Sequence, residues 1–285
     1  EWLFLFLITM RNIVIRALSG AVYVALIVAA LLLWDHSAVM FLAVFSVLTC
    51  VGILEAGKLV RAPGEPVSWL IALLDMLGGV GLLAGGWLLA EGMAQYGVWL
   101  LPLAIYLPAR CIVQLFRPGQ DALRSLAASL FSLCYVALPV ALLIAVDMFS
   151  SARVVLAVFI FIWLNDTGAF VVGIAVGRHK LFERVSPKKT WEGFFGGLVG
   201  ILVVWFVAGW FHVAGLSLPL AALCGIVEGV VAVMGDLFES RIKRGVGVKD
   251  SGNLLPGHGG LLDRTDSILF GSVVVYLVLV LGGML

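Results

Sequence analysis

Residues 154–177 read VVLAVFIFIWLNDTGAFVVGIAVG, 24 residues with a single charged side chain, Asp166. An α-helix needs about 20 apolar residues to cross ~30 Å of hydrocarbon. In lipid a segment must satisfy its own backbone hydrogen bonds, which a helix does and an isolated strand does not. A barrel strand would be about half as long and would alternate polar with apolar residues. This stretch does not alternate, so it predicts a membrane helix with a carboxylate at mid-depth.

Outward from it the chain has the same character. Of its 285 residues, 62% are hydrophobic and 12% charged, against about 25% charged in an ordinary soluble domain. A window of about 19 residues marks further apolar spans near 13–34, 37–57, 67–90, 95–116, 126–149, 193–214, 217–239 and 267–285. The expected fold class is therefore all-α, a polytopic integral membrane protein of about nine transmembrane helices. With nine spans, 17 of the 18 Lys and Arg residues fall on one side, and Arg153 alone on the other. The positive-inside rule then places the N-terminus in the cytoplasm and the C-terminus on the opposite side.

The four cysteines, Cys50, Cys111, Cys134 and Cys224, are scattered through apolar segments without a CxxC spacing. They read as packing residues, and suggest neither a disulfide framework nor a zinc site. Residues 1–9 read as upstream or non-native sequence, with Met10 as the natural start, and no cleavage site of the signal-peptide kind follows the first apolar run. Residues 1–125 read as a transmembrane scaffold, with Asp75 the clearest internal charge. Residues 126–285 read as the catalytic transmembrane region, with cytoplasmic loops 178–192 and 240–266.

Charge enters this second region at four places. Asp166 is costly at its depth, by roughly 2.5–3.5 kcal/mol, and such residues face a cavity or a partner. Asn165, Thr167 and Gly168 beside it predict a locally polar, broken helix. Next, Ser186-Pro187-Lys188-Lys189-Thr190-Trp191 precedes a helix start whose free N–H groups suit a phosphate; a positive-inside anchor with a threonine cap is the plainer alternative. Asp236, Glu239, Ser240 and Lys243 share one helical face, and Glu228 lies two turns earlier. Finally, SRIKRGVGVKDSGNLLPGHGGLLDRTD, residues 240–266, collects five cations, three aspartates, His258 and six glycines. Such glycines permit close backbone approach to an anion. Asp263 and Asp266, one turn apart, resemble ligands for a hard cation such as Mg²⁺.

Ser240-x-x-Lys243-Arg244, four residues, Lys249-Asp250-Ser251-Gly252, and Leu255-Pro256-Gly257-His258-Gly259-Gly260-x-x-Asp263-Arg264-x-Asp266 together resemble the signature of the phosphatidate cytidylyltransferases, or CDP-diacylglycerol synthases. The NDTGAF and SPKKTWEG stretches resemble that family's preceding segments, in the same order, with Thr167 where serine is common. The resemblance implies an integral membrane enzyme that joins CTP and phosphatidic acid into CDP-diacylglycerol and pyrophosphate. It implies Mg²⁺, alone or with a second cation, and a homodimer. The metal falls on Asp236 and Asp263, with Asp166 and Asp266 as close candidates. Lys249, Asp250, His258 and Arg264 join Asp236 and Asp263 as catalytic candidates, with His258 open between protonating leaving oxygens and hydrogen-bonding a phosphate. Ser186, Lys188, Lys189, Thr190, Ser240, Lys243 and Arg244 are the substrate-binding candidates. The expected setting is a bacterial inner membrane with the active site facing the cytoplasm. No nucleic-acid partner is expected. A CTP-dependent lipid kinase, an anion transporter and a non-catalytic lipid-binding protein are the competing classes.

Overall fold

A computed structural model describes residues 18–31, 38–61, 68–92, 100–117, 121–149, 152–210, 217–255 and 259–282. Each expected apolar segment carries a helix. These are α1 (Leu18–Leu31), α2 (Ala38–Val60), α3 (Trp69–Ala90) and α4 (Leu101–Leu115), then α5 (Ala122–Ser132) and α6 (Leu138–Phe149), joined by a π-helical turn over Leu133–Ala137. After them come α7 (Ala152–Val176), α8 (Trp191–Trp210), α9 (Leu218–Gly245) and α10 (Leu262–Leu281). Among the described residues, six helical stretches are long and apolar enough to cross a membrane, and the helices at Leu18–Leu31, Leu101–Leu115 and Trp191–Val203 are shorter. Met10, Arg11 and Arg16 lie outside the described residues.

The chain is not wholly helical. Between α7 and α8, β1 (Lys180–Phe182) pairs antiparallel with β2 (Ser186–Thr190), Lys180 opposite Thr190 and Phe182 opposite Ser186. The segment 178–192 is thus a hairpin rather than an open loop. α9 also runs to Gly245, past the expected end at 239, and α10 starts at Leu262 rather than 267. The polar residues after 239 stay helical because Asp236 accepts a hydrogen bond from Ser240 one turn on (3.2 Å), and Glu239 pairs with Lys243 (3.2 Å). What remains between the two helices is 246–261, shorter than the loop expected over 240–266.

α7 and α8 pack through small residues, as helices in lipid must when no hydrophobic force draws them together. Gly168 on α7 lies so close to α8 that an added Cβ would stand 3.0 Å from the Gly196 carbonyl oxygen; on α8, a Cβ at Gly193 would stand 2.7 Å from the Ala169 carbonyl oxygen. One buried cluster, including Ile27, Phe45, Ile53, Leu83, Phe159 and Leu262, joins the helices before residue 125 to those after it.

The first region also has a polar centre. Asp75 on α3 accepts hydrogen bonds from Tyr106 (2.7 Å) and Ser129 (2.8 Å). The guanidiniums of Arg61 and Arg110 lie 3.4 and 3.7 Å from its oxygens. All three charged side chains are buried. The requirement that intramembrane charges find partners is met here by four helices around one carboxylate.

Candidate active site

The ends of α2, α7 and α9 and the starts of α8 and α10 meet at one end of the bundle. Two contacts show this. Lys189 on β2 reaches the Asp236 carboxylate on α9 (Nζ–Oδ2 2.6 Å), and the backbone N–H of Leu262 on α10 donates to Glu55 on α2 (2.8 Å).

Asp166 lies on α7 ten residues before its end at Val176, about 15 Å along the axis. The helix there is unbroken, contrary to the expectation of a polar break. Thr167 returns its hydroxyl to the Trp163 carbonyl (2.7 Å) and the turn stays closed. Asp166 interacts electrostatically with Asp236, Lys189 and Arg264. Asp266, buried on α10, interacts with Asp236 and Glu239 and accepts the backbone N–H of Ser267 (2.7 Å). The carboxylates of α7, α9 and α10 thus form one interacting cluster with Lys189 and Arg264.

Asp263 is bound more completely. Its Oδ1 meets the Lys243 ammonium at 2.5 Å, and its Oδ2 accepts the N–H groups of Ser251 (2.9 Å) and Gly260 (2.7 Å). Asp263 therefore fastens both ends of the 251–260 segment. Lys243, also paired with Glu239 and mostly buried, neutralises carboxylates rather than standing free for a phosphate. Gly259, at φ +86, is where the chain must turn, and it makes a tight bridge with Leu255 (N–O 2.9 Å). Pro256, Gly257 and His258 lie outside the described residues.

The hairpin contributes unevenly. Lys188 is exposed and Lys189 points at Asp236. Ser186 is half-buried in its strand. Thr190 is buried, and its hydroxyl accepts the N–H of Gly193 (3.2 Å), so it caps α8. The N–H of Trp191 donates to the His179 carbonyl (2.9 Å). Two of the N–H groups at the start of α8, those of Trp191 and Gly193, are thus taken by the protein's own acceptors, and Thr190 caps the helix. Glu192 folds the α7–β1 connection over itself, accepting from the backbone of Arg178 and meeting His179 Nδ1 at 2.6 Å. Arg244 donates to the Val248 carbonyl (2.8 Å) and closes the turn after α9. Lys249, Asp250 and Arg264 are exposed.

Five carboxylates (Asp166, Asp236, Glu239, Asp263 and Asp266) interact there with three cations, Lys189, Lys243 and Arg264. Formally this leaves two negative charges unneutralised, and the donors are hard oxygens, a set that fits one divalent ion of the Mg²⁺ type. Among the described residues no three His, Cys, Asp or Glu side chains are already gathered as a finished metal site. Ammonium groups hold Asp236 and Asp263 instead.

A cavity of about 560 Å³ opens between the hairpin, α8, α9 and α10. Its walls include Phe182, Trp191, Met234, Phe238 and Phe270, and Arg241 is its charged residue. Phe270 lies one turn after Asp266 on α10, so the apolar cavity and the acidic cluster share that helix, whereas Met234 and Phe238, two residues either side of Asp236, lie on another face of α9.

Sequence reasoning passed over Glu55. It sits on α2, inside the region read as scaffold, yet it is buried against the 251–262 segment. The available signal was a carboxylate inside the second apolar span, the same signal that drew attention to Asp166.

The sequence profile of the cytidylyltransferase family matches residues 14–281. The chain belongs to that family. It is 48% identical over 116 residues to a phosphatidate cytidylyltransferase of Staphylococcus haemolyticus, covering 41% of this chain and 45% of the relative. A phosphatidate cytidylyltransferase of Synechocystis sp. is 45% identical over 128 residues, covering 45% of this chain and 43% of the relative. One of Mycobacterium tuberculosis is 44% identical over 117 residues, covering 41% and 35% respectively. The chain thus matches less than half the length of these curated relatives.

Proposed function

We propose that this protein is a phosphatidate cytidylyltransferase, making CDP-diacylglycerol and pyrophosphate from CTP and phosphatidic acid. The observation that carries the proposal is the interacting cluster of Asp166, Asp236 and Asp266 with Lys189 and Arg264, with an apolar cavity at Phe270, one turn along α10 from Asp266. A charged cluster and an apolar cavity built from the same helices suit a substrate with a phosphate head and acyl tails. The names of its relatives supply the nucleotide.

Both substrates are anions and repel one another, so the protein must bring positive charge between them. Lys188, Lys189, Lys249 and Arg264 would divide the phosphate charge, and Arg241 lines the apolar cavity. Asp236, with Asp166, Asp266 and Asp263, would hold Mg²⁺, which when bound neutralises the triphosphate and polarises the α-phosphorus. In the reaction, a lipid phosphate oxygen forms a bond to the α-phosphorus as the bond from that phosphorus to the bridging oxygen breaks. Pyrophosphate takes the electron pair and leaves. The lipid monoester is largely ionised at neutral pH, so no strong general base is needed. Positioning and electrostatic stabilisation carry such transfers. Lys189, released from Asp236 when substrate arrives, would move its charge from a carboxylate to a phosphate.

The same proposal includes nine spans, a cytoplasmic N-terminus and an active site at the cytoplasmic face of a bacterial inner membrane, where CTP is found. It also includes a homodimer. Purified protein given CTP, phosphatidic acid and Mg²⁺ should release pyrophosphate and a CDP-lipid in equal amounts. Release of CDP with a phosphorylated lipid would make it a kinase, and CTP left intact would end the proposal.

A further inference from the structure

α10 begins without a cap of its own. The residue before its first turn is Leu261, whose side chain cannot accept a hydrogen bond from the free N–H groups. Glu55 on α2 supplies the acceptor. Its Oε2 takes the N–H of Leu262 at 2.8 Å and the hydroxyl of Ser251 at 3.3 Å. Only 5% of Glu55 is exposed, and a carboxylate at a helix N-terminus is favourably placed against the helix dipole.

The segment is shaped to admit this side chain. A Cβ at Gly252 would stand 2.8 Å from Glu55 Cδ, and one at Gly260 would stand 2.6 Å from Glu55 Oε2. Gly252 is therefore required by the passage of Glu55, and Gly260 by Ser251, Glu55 and the Gly252 backbone together, not by a positive φ, which neither has. From the other side, Asp263 binds the N–H groups of Ser251 and Gly260. Ser251 is thus held between two carboxylates, its hydroxyl on Glu55 and its N–H on Asp263. Fixing Ser251, Gly260 and Leu262 fixes the chain that carries Asp263, Arg264 and Asp266 into the pocket.

We propose that Glu55 is a positioning residue for the reaction, setting the 251–262 segment and the start of α10 from a helix outside the pocket. This rests on the proposed cytidylyl transfer, but the hold on the segment can be measured without it. The test compares wild type with Glu55→Ala, Glu55→Gln and Gly252→Ala, all full-length and purified in detergent. Hydrogen–deuterium exchange reads the segment, and CTP kinetics are normalised to folded protein.

In Glu55→Ala, exchange over 251–262 should rise about tenfold with α3–α6 unchanged. Its kcat should fall about 100-fold while KM for CTP stays within about threefold. Glu55→Gln keeps one acceptor and should fall between. Gly252→Ala, which crowds Glu55 without removing its charge, should also speed exchange, and it keeps the test open if Glu55→Ala does not fold. Unchanged exchange in both Glu55→Ala and Gly252→Ala would overturn the proposal. So would faster exchange with wild-type kcat, or a loss of activity accounted for by unfolded protein. If wild type makes no CDP-lipid, the proposed activity fails, and the exchange arm still decides whether Glu55 holds the segment.

Discussion

Around Asp75, α2, α3, α4 and α5 enclose one carboxylate with two guanidiniums, a phenol and a serine hydroxyl. Around Asp236, α7, α9 and α10 gather five carboxylates with three cations. The first cluster is buried on every side, and each acidic oxygen has a partner. The second has Asp166 and Arg264 exposed and Asp236 only partly covered. Both carry intramembrane charge, which alone does not mark a functional site. The direction of the charge imbalance is what separates the two clusters.

Removing metal should have the largest effect. With a chelator present, formation of CDP-lipid should fall to background and return on adding Mg²⁺, because the acid-rich cluster is the one proposed to take an added cation. Undiminished turnover would erase the distinction. Asp75→Ala attacks the other cluster. Leaving two buried guanidiniums without their carboxylate should destabilise the protein by about 3–5 kcal/mol, visible as a lower thermal midpoint in detergent. Turnover per folded molecule should remain near that of wild type, and a selective loss of turnover would show that the first cluster is more than structural.

Asp236→Asn should leave folding intact and lower kcat/KM about 100-fold, roughly 2.7 kcal/mol of transition-state stabilisation. Wild-type kinetics in that variant would remove Asp236 from the pocket's chemistry. The smallest effect belongs to His179→Ala. His179 is 79% exposed and its contact is a surface pair with Glu192, so turnover should change less than about twofold. A larger change would move the functional boundary outward onto the hairpin.

The helices were legible because span length and apolarity are local properties. The 24 residues at 154–177 became α7 over Ala152–Val176, and Asp166 stood out against them. The end of α9 was harder to read, since hydropathy stops at about residue 239 while the i, i+4 pairs of Asp236 and Glu239 carry the helix to Gly245. The hairpin was hidden because a three-residue strand opposite a five-residue one has too little periodicity to show. Lys188 and Lys189 looked equivalent in sequence, yet one is exposed and the other pairs with Asp236, while Thr190 makes the helix cap that was the plainer of its two readings. Glu55 and Leu262 are 207 positions apart. No local pattern links them, and only the folded bundle shows that a scaffold helix holds the loop.

The most direct test follows two labels through the same reaction. Purified protein, phosphatidic acid and Mg²⁺ are incubated with CTP labelled at the α-phosphate or at the γ-phosphate, and the lipid is extracted. Cytidylyl transfer through the acid-rich pocket predicts α-label in the lipid, γ-label in aqueous pyrophosphate, and neither transfer in Asp236→Asn. Gamma-label in the lipid, or α-label transfer that survives intact in Asp236→Asn, would contradict it.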